Sequence, residues 1–223
     1  MGLDMYLYKA KRVDGITVKK LVEINNYFDY INRGHKYEDV KMSEWCGFEI
    51  SDDTIPFVKQ YEDEYITRYS SWDEEKKYGH KAITDNVGYW RKANQIHNWF
   101  VNNVQDGVDD CGTYKVTKEQ LKELVVVCNE VLESCKLENG TVANGQYLDC
   151  SYDEFVTVLE DGQYIVDSSV AERLLPTISG FFFGSENYDE YYLDAVKYTA
   201  ELIKDLLNTT DFEKEIVMYH SSW

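Results

Sequence analysis

From Leu3 to Lys11 the chain reads L-D-M-Y-L-Y-K-A-K, and from Glu215 to Tyr219 it reads E-I-V-M-Y. In the first run Leu3, Met5 and Leu7 alternate with Asp4, Tyr6 and Tyr8. That period of two is the mark of a half-buried strand. The second run has the composition of a terminal strand. Strands at both ends with helices between predict an α+β fold, a small and mainly antiparallel sheet covered by several helices. No linker rich in Pro, Gly or Ser divides the chain, and only Pro56 and Pro176 occur, so residues 1–223 read as a single domain.

The stretches between these strands carry unequal signals. Asp14-Gly15 turns the chain, and residues 18 to 32 read as a helix with Val18, Leu21, Val22 and Phe28 near one face. Glu44 to Ile50 reads as a short strand, Pro56 as the start of a helical turn, and Tyr65 to Trp72 as loop or strand. Val87 to Val104 reads V-G-Y-W-R-K-A-N-Q-I-H-N-W-F-V-N-N-V. Trp90, Ala93, His97, Phe100, Val101 and Val104 recur there at three- and four-residue spacing, which predicts one amphipathic helix capped by Asp85 or Asn86. Thr117-Lys-Glu-Gln120 is a capping box. It opens a helix whose face is Leu121, Leu124, Val125, Cys128, Val131, Leu132 and Cys135, with Asn139-Gly140 as its stop. Asp161-Gly162 lies between two β-rich runs and predicts a hairpin within 155–167. Ser168 or Ser169 caps a short helix that Pro176 stops. Ile178 to Gly184 reads as a buried strand or a tight loop, and Asn187 or Asp189 opens a last long helix.

Composition narrows the function. The formal net charge is -18, which opposes direct binding to nucleic acid or to an anionic membrane. Residues 1–41 are the exception, with eight Lys or Arg against six Asp or Glu. Acidic clusters recur at Asp52-Asp53, 62–64, 73–75, 106–110 and 186–190, either as a solvated surface or as a face that imitates DNA. Five cysteines without a CxxC pair read as reduced core thiols in the cytoplasm. The N-terminus lacks the apolar core of a signal peptide, and no apolar run has the length of a membrane span. Nineteen tyrosines exceed what a core needs and point to an aromatic recognition surface.

No common nucleotide, metalloprotease or hydrolase motif is present. The densest candidate is Trp90 to His97. On a helix, Arg91, Asn94 and His97 would share one edge and present a guanidinium, an amide and an imidazole together. Arg grips a phosphate, Asn pairs with a base edge and Trp stacks. Phe183 and Tyr188, at the junction of the phenylalanine run and the last helix, complete a ligand-binding set of Trp90, Arg91, Asn94, His97, Phe183 and Tyr188. The competing reading makes the same residues a packed core. For an enzyme, His97 would be the base, with Asp109 and Asp110 beside it. The four histidines show no metal spacing, and neither metal nor cofactor is expected.

Three blocks also carry a resemblance: MGLDMYLYKAKR, VGYWRKANQIHNWFVNNVQDGVDDCG and LLPTISGFFFGSENYDEYYL. They resemble a family of uncharacterised accessory proteins encoded by bacteriophages and prophages. The resemblance implies a setting, the cytoplasm of an infected bacterium, and a role in countering host defence. It carries over no functional residue. With it, the leading expectation is a non-catalytic binder that sequesters a small nucleotide-like host immune signal. The alternatives are an acidic inhibitor or DNA mimic that binds a host defence protein, and a small hydrolase or nucleotide-processing enzyme using His97. A homo-oligomer is compatible with each.

Overall fold

The computed structural model describes residues 2–32, 50–62, 66–69, 79–149, 151, 154–180 and 182–223. Residues 44–49 of the strand expected over Glu44 to Ile50, residue 65 and residues 70–72 of the stretch expected as loop or strand, and Cys46, Cys150 and Phe181 lie outside them. The architecture is α+β. Strand β1 (Asp4–Lys11) lies between β4 (Thr84–Arg91) and β8 (Glu215–Ser222), and β5 (Thr113–Val116) extends the sheet beyond β8. Every pairing in this sheet is antiparallel. Two further pairs are separate: β2 (Ile66–Tyr69) with β3 (Gly79–Ala82), and β6 (Leu137–Asp149) with β7 (Glu154–Ile165).

Alternation sends the two faces of the sheet to different cores. Leu3, Met5, Leu7, Trp90, Val116, Val217 and Tyr219 are buried on the inner face. Helices α3 (Asn94–Val104), α4 (Lys118–Ser134) and α6 (Glu190–Thr209) cover it. On the outer face Ala10, Ile216 and Met218 meet Leu21, Ile24 and Phe28 of α1 (Val18–Asn32). Pro56 sits in the first turn of the short helix α2 (Ile55–Val58), as its locked φ favours. The Thr117–Gln120 capping box forms in both directions, and α4 buries Leu121, Leu124, Cys128 and Val131. Cys128 and Cys135 are free thiols, and burial pushes Cys128 up to about 12, which makes it inert.

Three expectations are corrected. Residues 87–104 do not form one helix. Thr84–Arg91 is a strand, and Asn94–Val104 begins after a turn at Lys92 with φ 58°, so neither Asp85 nor Asn86 is its cap. Trp90 pairs with Met5 and Tyr89 with Tyr6, so side chains alternate faces where a helix would have stacked them. Asn139-Gly140 does not end α4, which stops at Ser134, and Asp161-Gly162 is not a turn. Gly140 faces Gly162 in the β6–β7 ladder. A Cβ on Gly140 would lie 2.7 Å from the Tyr164 ring, and one on Gly162 2.5 Å from Val142. These glycines admit close side chains across a long ribbon.

Helix α5 (Ser169–Leu174) follows the ribbon, and residues 178–180 and 182–184 lie outside any helix or strand. Asp189 caps α6, and its carboxylate accepts from the Tyr192 N–H at 3.0 Å. Burial pushes this carboxyl above its ordinary range, against the Tyr192 and Tyr191 N–H groups that favour its charge. A raised folded value means that Asp189 favours folding most in acid and loses that effect as pH rises. Asp189→Asn keeps the accepting oxygen and removes the charge, whereas Asp189→Ala loses about 1 kcal/mol of capping. Urea denaturation is expected to show the Asn variant gaining on the parent between about pH 4 and about pH 7. A parent that gains on the Asn variant over that interval would show the helix dipole outweighing burial.

Candidate functional site

Asp4, Tyr6 and Tyr8 lie on the outer face, opposite the buried Leu3, Met5 and Leu7. In register across the sheet, Tyr89, Tyr6, His220 and Thr113 form one row. The Tyr6 ring lies 5.3 Å from Tyr89, 5.8 Å from Tyr8 and 6.2 Å from His220, with the last two near-parallel. Tyr89 is 41% exposed, and Tyr6, Tyr8 and His220 are half-buried. Tyr8 also packs against the outer core, so the row opens to solvent at its Tyr89 end and is half-covered elsewhere.

Charge stands at one edge of it. Asp4 pairs with Arg91 in the register, and the Tyr89 hydroxyl donates to the Asp4 carboxylate. That bond holds the Tyr89 phenol above its ordinary pKa, and burial does so for Tyr6, with Asp4 adding to both. Arg91 acts in the opposite sense on both rings. The phenols stay protonated and neutral at physiological pH. Such faces stack on planar groups, and an exposed guanidinium beside them binds an anion. His220 Nδ1 is held by the Gly112 carbonyl at 3.2 Å, which fixes its ring against Tyr6.

The other members of the expected site lie elsewhere. Arg91 ends a strand and shares no helix edge with Asn94 and His97. Trp90 is buried on the inner face, and its Nε1 donates to Thr199 Oγ1 of α6 at 2.8 Å. Asn94 is fully buried. Its amide donates to the Phe183 and Ser185 carbonyls and accepts from the Ile178 N–H, which ties Ile178, Phe183 and Ser185 to α3. Phe183 packs edge-on against His97 at 5.4 Å. Tyr188 accepts from the Thr177 N–H and packs on Tyr192. Only Arg91 of the six meets the aromatic row.

His97 is also fully buried, and both ring nitrogens are engaged. Nδ1 lies 2.8 Å from the Tyr219 hydroxyl, and Nε2 lies 3.0 Å from Asp109 Oδ2. A carboxylate only accepts, so Nε2 carries the proton and Nδ1 accepts from Tyr219. Burial pushes the Tyr219 hydroxyl well above its ordinary value, which keeps it a donor. Asp109 Oδ1 also accepts from the Trp223 indole at 3.1 Å. The expected His97–Asp109 pair thus exists, but no nitrogen is left to take a substrate proton. Asp110 is apart from it, bonded to the Gly112 N–H and the Tyr114 hydroxyl.

Among the described residues no group of three or more His, Cys, Asp or Glu side chains is placed to hold a metal. No described helix is long and apolar enough to cross a membrane. Compared with protein-family models, curated proteins and solved structures, the chain finds no match.

The buried relay is expected to act through stability. Tyr219→Phe strands His97 Nδ1 without a donor and should cost about 1–3 kcal/mol. His97→Ala adds a cavity and should cost about 2–5 kcal/mol. Urea denaturation with tryptophan fluorescence measures both. A loss below about 0.5 kcal/mol for each would show the relay to be unimportant to the fold.

Proposed function

We propose that this chain is a non-catalytic binding protein of the phage accessory type. It takes a small nucleotide-like ligand on the outer face of its sheet, and by sequestering a host immune signal of that kind it antagonises defence in the host cytoplasm. The observation that supports this reading is the row of Tyr89, Tyr6 and His220, with Tyr8 beside it and Arg91 at its edge. A base stacked on such rings contributes about 1–3 kcal/mol. Arg91 supplies paired donors to a phosphate. The -18 net charge is a sum over the whole chain, and at the row the neutral tyrosines add no charge while Arg91 offsets the Asp4 carboxylate beside it. His97 and Asn94 hold the fold beneath this face, so the reading needs no turnover.

The test is a thermal-shift and calorimetric screen of the whole chain against cyclic di- and trinucleotides, NAD and ADP-ribose. A ligand at about 100 times its dissociation constant stabilises by about 2.7 kcal/mol. Tyr89→Ala and Arg91→Ala lie on the exposed edge and should each weaken binding about tenfold or more while folding normally. The bound compound should be recovered unaltered by chromatography. No shift across the panel, a shift that both variants leave intact, or conversion of the compound would each overturn the proposal.

A further inference from the structure

We infer that the cavity where α1 begins, beside β8, binds a small organic anion: a carboxylate or phosphate carried on a short aliphatic body. The cavity has a volume of about 430 Å³, within the range of small-ligand sites. Arg12 and Lys115 are its cations, and Val13, Ile16, Val18 and Ile216 are its apolar walls. Among the described residues no aromatic side chain lines it, so a base would have nothing to stack on. Arg12 follows the last residue of β1, whereas Arg91 faces the first. The cavity and the tyrosine row thus stand toward opposite ends of the sheet, and the inference does not depend on the nucleotide reading.

The sheet itself opens this space. Strand β5 ends with Val116 opposite Val217, so Ile216 has no β5 residue beside it. Lys115 pairs with Met218, which belongs to the outer core, and so stands on the face that α1 covers. Backbone bonds fix the wall opposite. The Arg12 N–H donates to the Lys214 carbonyl at 2.7 Å, and the Ile16 N–H donates to the Val13 carbonyl at 3.0 Å. Gly15, with φ 78°, permits that turn. Acids outnumber cations 41 to 23 in this chain, and the other cations of the region are paired with them. Lys9 meets Glu215, Lys20 meets Asp53 and Lys214 meets Asp211, at 2.8 to 3.0 Å. Among the described residues Arg12 and Lys115 have no such carboxylate. Arg12 is half-buried, where an opposite charge is attracted more strongly than on the open surface. Its paired donors suit a carboxylate or a phosphate. Asp14 stands at the exposed rim, where water screens its opposing charge.

The probes are hexanoate and butyl phosphate, with hexanol, butanol and inorganic phosphate as controls, added to the whole chain labelled at its Ile and Val methyl groups. NMR titration is expected to show saturable binding of at least one anion, with shifts centred on Val13, Ile16, Val18 and Ile216. The tighter of the two separates a carboxylate ligand from a phosphate one. The matched alcohol and inorganic phosphate should each bind at least about tenfold more weakly, since one lacks the charge and the other the aliphatic body. Lys115 is exposed, so Lys115→Gln should fold normally and weaken binding about threefold. Arg12→Gln should weaken it about tenfold or more. Asp14→Asn removes the opposing charge and should tighten it. Binding of neither anion, equal binding of an alcohol or of inorganic phosphate, or shifts centred elsewhere overturns the inference. So does an affinity that Lys115→Gln and Arg12→Gln both leave intact, or a loss of binding in Asp14→Asn, which would show that the site takes a cation.

Discussion

The fold depends on the antiparallel pairing of residues 4–11 with residues 215–222. These two strands stand at the centre of the sheet, and nearly all of the chain runs between them. Closing so long a loop is entropically costly and is recovered only when both faces of the pair are covered. The burial of Ile216, Val217, Met218 and Tyr219 in succession records that demand. Val217 and Tyr219 belong to the inner core, and Ile216 and Met218 to the outer one. The stack of Phe100 on Tyr219, at 4.0 Å and 8° from parallel, ties α3 to this pair. The His97–Tyr219 bond satisfies the one polar group that the stack would otherwise bury alone.

The α+β class was legible because local signals and tertiary demands agree in most elements. Leu3, Met5 and Leu7 alternate as a strand with one deeply buried face must, and the Thr117–Gln120 box marks a real helix start. The error at 87–104 shows where such agreement fails. Trp90, Ala93 and His97 fit a helical period by spacing, yet Trp90 is drawn into the sheet beside Met5. The break falls at Lys92, which adopts a positive φ without the glycine that usually announces one. Gly140 and Gly162 mislead in the opposite way. Their missing side chains serve Tyr164 and Val142 rather than a turn.

The same error hid the aromatic row. A helix over 87–104 separates Tyr89 from Tyr6 and groups Arg91 with Asn94 and His97, whereas the strand pairs Tyr89 with Tyr6 and Arg91 with Asp4. Tyr6 and Tyr8 were legible as the second face of β1, but their meeting with His220 needs the 4–11 and 215–222 register. Nothing local in the sequence carries that register. The His97–Asp109 contact was legible as a pair of residue types. Its meaning was not, because burial and the second bond to Tyr219 decide it.

A strongly acidic chain can recognise an anionic ligand only where something other than its net charge supplies the attraction. Stacking on neutral phenols depends little on ionic strength, since it draws on dispersion and on area removed from water. Under the proposed reading, such stacking would let an acidic protein hold an anionic ligand with a single well-placed guanidinium. The phenols of the row are neutral at physiological pH by their ordinary acidity, and their values are raised further, Tyr89 by donating a hydrogen bond to the Asp4 carboxylate and Tyr6 first by burial. Asp4 therefore holds the Tyr89 ring in place, and Arg91, across from it in the register, carries the cation.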